Sequence, residues 1–71
     1  MSKNFEIIKR LVQDGILDNN NGFTANDVVN NSKNLNQNTI KTFLPKHAKI
    51  KTIYFERIRK GTYKIKVKYL E

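Results

Sequence analysis

The sequence predicts an α+β domain, with its helices first and a β-hairpin last. Apolar residues in the first part recur at helical spacing. Two segments open with the same cap-and-staple pattern. From Ile53 onward the period becomes two. Charge changes with the pattern. Residues 1–35 hold four basic side chains (Lys3, Lys9, Arg10, Lys33) and four acidic ones (Glu6, Asp14, Asp18, Asp27), which cancel. Residues 36–71 hold ten Lys or Arg against Glu56 and Glu71, so the whole formal +8 lies there.

The first helix is expected after Ser2, a plausible N-cap. Phe5, Ile8 and Val12, with Ile7 and Leu11, make one apolar stripe. Gly15 suits the left-handed position past its end, with Ile16 as the apolar contact that follows. Asp18-Asn19-Asn20-Asn21-Gly22 reads as a turn or loop.

Thr24 caps the second helix, expected over about residues 25–31. Phe23 before it and Val28 at the fourth position form a hydrophobic staple. Asp27 favours the helix start, although it is a weaker capping-box partner than Glu. Asn36 caps the third helix, expected over about residues 37–44, with Leu35 and Ile40 as its staple. Ser32-Lys33-Asn34 separates the two, a spacing that suits a helix-turn-helix. Pro45 has no backbone N–H and disfavours helix at Leu44, so the third helix is expected to stop or kink there.

Residues 53–59 are β-branched and aromatic. Tyr63, Ile65, Val67 and Tyr69 alternate with Lys64, Lys66 and Lys68, which predicts one half-buried strand with an apolar and a basic face. Lys60-Gly61 supplies the turn, Gly61 taking a positive φ. A two-residue turn sets Ile58 opposite Tyr63 and Arg57 opposite Lys64. Phe55 then falls on the wrong face, so a bulge or strand entry is expected near Phe55.

A 71-residue chain makes one domain, residues 1–71, with a small core. It has no cysteine, which excludes disulfides and thiolate metal sites. No apolar run approaches a membrane span and the N-terminus lacks a signal-peptide core, so a cytoplasmic protein is expected, nucleoid-associated if it binds DNA. No serine-histidine-acid set, glycine-rich phosphate loop or metal constellation is present, so neither catalysis nor a cofactor is expected. His47 stands alone and reads as a surface or capping residue. Ten asparagines fall within the first 38 residues, a bias that AT-rich coding also produces.

Three helices followed by a hairpin is the element order of a winged helix-turn-helix. Phe23-Thr24 is placed where that fold inserts a short strand against the hairpin. The run Phe55-Glu56-Arg57-Ile58-Arg59-Lys60-Gly61-Thr62-Tyr63-Lys64-Ile65 resembles the wing pattern F-x-R-x-x-x-G-x-Y-x-(L/I). Small prokaryotic winged-helix domains carry it, including modules attached to some restriction enzymes. Gly22-Phe23-Thr24 and Asn38-Thr39-Ile40 are similar to the same domains, and the likeness covers roughly residues 22–67. Two departures are the short link from the third helix to the hairpin and the truncating Pro45. The resemblance implies duplex DNA binding without naming a target.

If the third helix buries Ile40, Phe43 and Leu44, a rotation of about 100° per residue presents Asn38, Lys41 and Thr42 outward. Gln37, Thr39 and Lys46 flank them. Asn and Gln can bond adenine, Lys can reach guanine or phosphate, and Thr can touch a thymine methyl. The plainer reading is that Asn38 and Thr39 serve the helix start and Lys41 is solvated. The hairpin offers Arg57, Arg59, Lys60, Thr62, Lys64 and Lys66, with Lys68 beyond. These suit phosphate or minor-groove contact. Charges also blunt an edge strand, but that needs only one or two. Glu56 among them reads as a structural ion pair. Tyr54, Tyr63 and Tyr69 could stack on unpaired bases; for Tyr63 a core role is the stronger reading.

The expected function is a small duplex DNA-binding regulator of a prokaryote or one of its mobile elements, binding as monomer or homodimer. Fold does not dictate function. A module docking on an acidic protein is therefore a second expectation, and an RNA or single-strand binder a third.

Overall fold

A computed structural model describes residues 3–49 and 54–70. Three helices lead: α1 (Lys3–Gln13), α2 (Ala25–Asn30) and α3 (Gln37–Lys49). A hairpin follows, β1 (Phe55–Arg59) and β2 (Thr62–Ile65), and then a 3-10 turn over Val67–Tyr69. The chain is therefore α+β, with a two-stranded antiparallel hairpin near its C-terminus. The expected cap Ser2 and the strand start Ile53 lie outside the described residues.

Local chemistry explains the helix ends. The Gly15 N–H donates to the Val12 carbonyl (3.0 Å) and the Ile16 N–H to the Leu11 carbonyl (2.9 Å), the paired bonds of a Schellman ending. Gly15 has φ +78°, where a side chain is strained. The apolar residue that then turns inward is Leu17, 4% exposed; Ile16, expected there, is 51% exposed. In the following loop the Asp18 carboxylate accepts from the N–H groups of Asn20 (2.8 Å) and Asn21 (3.1 Å). These bonds, Asn21's first, hold its pKa below the ordinary carboxylate value.

Thr24 caps α2. Its hydroxyl accepts from the Asp27 N–H and the Asp27 carboxylate accepts from the Thr24 N–H, so the capping box closes with Asp in the usual Glu position. Asn36 caps α3, its Oδ1 accepting from the N–H groups of Asn38 (2.8 Å) and Thr39 (3.4 Å). Caps of this kind contribute about 1 kcal/mol each. Both staple pairs, Phe23 with Val28 and Leu35 with Ile40, are buried.

Three expectations about helix end, register and strand length are corrected. First, α3 does not stop at Pro45 but runs to Lys49. Beyond the proline, His47 packs at a tilt on Phe43 (4.3 Å between ring centroids) and stacks on Tyr54 (5.3 Å), and Ala48 packs on the core. Those contacts outweigh the one helical bond that proline forfeits. His47 is accordingly half-buried rather than a surface cap, and its Nδ1 is buried without a hydrogen-bond partner.

Second, the bulge sits at Ile58, not near Phe55. Arg59 pairs with Thr62 across the two-residue turn, but Arg57 pairs with Tyr63, Glu56 with Lys64 and Phe55 with Ile65. The extra residue shifts the register by one, which puts Phe55, Tyr63 and Ile65 on the same face. All three are buried there.

Third, β2 ends at Ile65. Lys66 donates its N–H to the Tyr54 carbonyl (3.0 Å), and the chain then turns into the 3-10 segment. Val67, expected on the apolar face, is 68% exposed.

The core gathers a side chain from every helix and both strands. Phe5 and Ile8 come from α1, Val28 from α2, Ile40 and Leu44 from α3, and Phe55 and Ile65 from the hairpin; all are 0% exposed. Phe55 is the hub. Its ring meets Phe5 and Phe43 at 5.8 Å and Phe23 at 6.4 Å, each edge to face. Such pairs add about 1 kcal/mol each to the burial of the rings.

Candidate nucleic-acid interface

The outer side of α3 follows from its inner side. With Ile40, Phe43 and Leu44 turned to the core, Gln37, Asn38, Thr39, Lys41, Thr42 and Lys46 are all exposed. Their freedom differs. The Gln37 amide donates to Asn26 Oδ1 and ties the start of α3 to α2. The Thr42 hydroxyl donates to the Asn38 carbonyl (3.1 Å), which settles its rotamer. The side chains of Asn38 and Lys41 face solvent and form no hydrogen bond among the described residues. Asn38 lends its backbone N–H, rather than its amide, to the cap.

The hairpin tip approaches α3 because β2 is held from its far edge. Phe23 and Tyr63 exchange both backbone bonds, at 2.7 and 2.8 Å, forming an isolated antiparallel bridge. Two residues along, Asn19 does the same with its side chain. Its Oδ1 accepts from the Ile65 N–H (2.8 Å) and its Nδ2 donates to the Ile65 carbonyl (3.1 Å). The bridge at Phe23 also places the start of α2 beside the tip.

The basic residues do not share one face. By the observed register, Arg57 lies on the core-facing side with Phe55 and Tyr63, whereas Arg59 and Lys64 lie on the other side with Glu56. Lys60 stands at the turn. Arg57, Arg59 and Lys60 are exposed; Lys64 and Lys66 are half-buried. Thr62 is 9% exposed, packed under Gly22, so it is not available as a surface contact. The Lys68 ammonium lies 5.1 Å from the centre of the Tyr69 ring. Glu56 stands opposite Lys64 but makes no ion pair; among the described residues the pair within 4 Å is Arg10 with Asp14, at 3.5 Å. That pair is exposed and contributes little.

The tyrosines are mostly committed. Tyr63 is buried, as its core reading expected. Tyr54 stacks on Phe5 at 4.1 Å and meets Tyr69 edge to face at 5.2 Å. Stacking on unpaired bases would compete with these contacts.

Helix and hairpin meet at a cleft of about 300 Å³. Lys41 reaches it from α3, Lys60 and Gly61 from the tip, and Thr24 and Asn26 from the start of α2. Ala25, Leu44 and Tyr63 give it an apolar wall. Sequence reasoning missed Thr24 and Asn26 as neighbours of the tip. The signal was the expected strand at Phe23-Thr24, which carries the next residues with it. No protein-family model, curated protein or solved structure matches this chain. Among the described residues no helix is long and apolar enough to cross a membrane.

Proposed function

We propose that this chain is a winged-helix protein that binds duplex DNA, with α3 in the major groove and the hairpin as a wing on the backbone or in the minor groove. A small transcriptional regulator is the role that fits a chain of this size. One observation carries the reading: the exposed polar side of α3 and the basic wing tip converge on the same cleft, Lys41 from one and Lys60 from the other. A duplex requires both kinds of surface on one side, polar groups for base edges and cations for phosphates. The confinement of the +8 to residues 36–71 supports it. Asn38, Lys41 and Thr42 are the base-reading candidates. Arg57, Arg59 and Lys60 are the exposed backbone contacts, with Lys64 and Lys66 behind them.

An anisotropy titration of a labelled random-sequence duplex at low salt tests the proposal. Micromolar binding is expected, with log K falling by about 0.9 per phosphate neutralised as log salt rises. No duplex binding at micromolar protein, or a clear preference for single strands or RNA, refutes it.

A further inference from the structure

The cleft between α3 and the hairpin tip has a chemistry of its own. Two lysines line it from separate elements, Lys41 and Lys60, and no acidic residue is among its lining residues. Its neutral polar groups are also left as donors. Asn26 Oδ1 is occupied by Gln37, which leaves the amide N–H groups of Asn26 to donate. Thr24 Oγ1 accepts from the Asp27 N–H, which leaves its own proton to give. Beside these donors stand Ala25, half-buried, and an edge of Tyr63, 7% exposed, with Leu44 buried behind them. A cleft of about 300 Å³ is small for a ligand pocket yet exceeds what a lone phosphate fills.

Cations and donors together with apolar lining match an anion carried on an apolar body. We propose that this cleft holds one nucleotide unit, its phosphate between Lys41 and Lys60 and its base or sugar against Ala25 and the small exposed edge of Tyr63. The unit has two sources, a free mononucleotide or one residue of a nucleic-acid strand. The site stands independently of duplex binding, because its groups are assembled by the fold alone. It lies between the two elements assigned above to DNA, so a duplex on them either places one of its own nucleotides in the cleft or leaves the cleft open to a free one.

The test is a titration of the full chain followed by amide chemical shifts, with adenosine monophosphate, inorganic phosphate and a short duplex as probes. Adenosine monophosphate should shift the resonances of Lys41, Lys60, Gly61 and Tyr63 saturably. It should bind about tenfold more tightly than inorganic phosphate, reflecting contact with the apolar wall. The double variant Lys41→Gln/Lys60→Gln should weaken it by a further factor of about ten or more. Lys9→Gln/Lys33→Gln removes equal charge elsewhere and should leave it unchanged. All four lysines lie outside the buried core, and unchanged far-ultraviolet dichroism checks that each variant folds.

Displacement of the mononucleotide by duplex supports the strand as the source. Simultaneous binding supports the free nucleotide. The proposal is overturned if no saturable shift occurs, if inorganic phosphate binds equally well, or if both double variants lose affinity alike. A chain that binds the mononucleotide but no duplex keeps this site and loses the function proposed above. The reverse result keeps that function and removes the site.

Discussion

Asn19 acts as a strand residue for Ile65. Its amide group exchanges two hydrogen bonds with the Ile65 backbone, at 2.8 and 3.1 Å, from a position 46 residues earlier in the chain. The site is part-buried. Asn19→Ala should therefore cost about 1–3 kcal/mol, because the Ile65 N–H and carbonyl lose partners in a place with little water. Asn19→Asp should cost more, since a carboxylate would face the Ile65 carbonyl. Urea unfolding of the three proteins checks the ranking. Equal stability of Asn19→Asp and wild type would remove the amide's donor role.

Gly22 is the least replaceable glycine. A Cβ there would lie 2.6 Å from both Ile58 Cδ1 and Thr62 Cγ2 and 3.1 Å from the Tyr63 carbonyl, at φ +96°. Gly22→Ala should destabilise by roughly 2–4 kcal/mol, from strain and crowding together. Gly61 has φ +78° and nothing within 4 Å of the added carbon, so Gly61→Ala should cost only the backbone strain, about 1–2 kcal/mol. Thermal unfolding of both variants compares them directly.

Pro45 interrupts a helix that continues past it. Pro45→Ala supplies an N–H for the Lys41 carbonyl and relieves the ring clash, worth up to about 3 kcal/mol. The unfolded chain regains freedom worth about 0.4–1 kcal/mol in the other direction. The net expectation is a gain of about 1–2 kcal/mol, visible as a higher Tm. A lower Tm would show that α3 depends on the proline's shape.

Acid should weaken the loop at residues 18–22 through Asp18. Its folded pKa is lowered by the bonds from Asn21 and Asn20. A lowered carboxylate stabilises the fold above its unfolded pKa and loses that contribution as pH falls through the folded value. Asp18→Asn should therefore show a shallower decline in stability than wild type below about pH 4. Unfolding curves between neutral pH and pH 2 decide, and parallel declines would contradict it.

If the wing lies on phosphates, Arg59→Gln/Lys60→Gln should lower duplex affinity on all sequences alike. The salt slope should fall by about 0.9 for each lost contact. Asn38→Ala should leave that slope and change sequence preference instead. Anisotropy titrations across a salt series, with two unrelated duplexes, separate the two effects.

The helices were legible because their signals are local. Thr24, Asn36 and Gly15 act on backbone groups within five residues, and each does what its type and position implied. The outward side of α3 followed from rotation alone. What escaped was non-local. Alternation from Tyr63 to Tyr69 resembled one strand, but the 3-10 turn brings Leu70 under α1, where the Gln13 amide donates to its carbonyl at 3.2 Å. That a bulge was needed was legible from the mismatch between Phe55 and Tyr63, but its place at Ile58 was not, because that is set by the packed core. For His47 the helical neighbour Phe43 was visible, but its second partner, Tyr54, comes from beyond the helix. The cleft was invisible for the same reason, since its two lysines are 19 positions apart and meet through the Phe23 bridge.

That bridge also orders events in time. Phe23 and Tyr63 enclose most of the chain between them, and closing so long a loop is entropically costly until the strands are ready to receive it. The hairpin turn is short and forms early, whereas its attachment to the first half must come late. During synthesis, the helices emerge first but lack Phe55, the hub of their core. The core therefore closes only after Phe55 and Tyr63 have left the ribosome, and the apolar helix faces stay open until then.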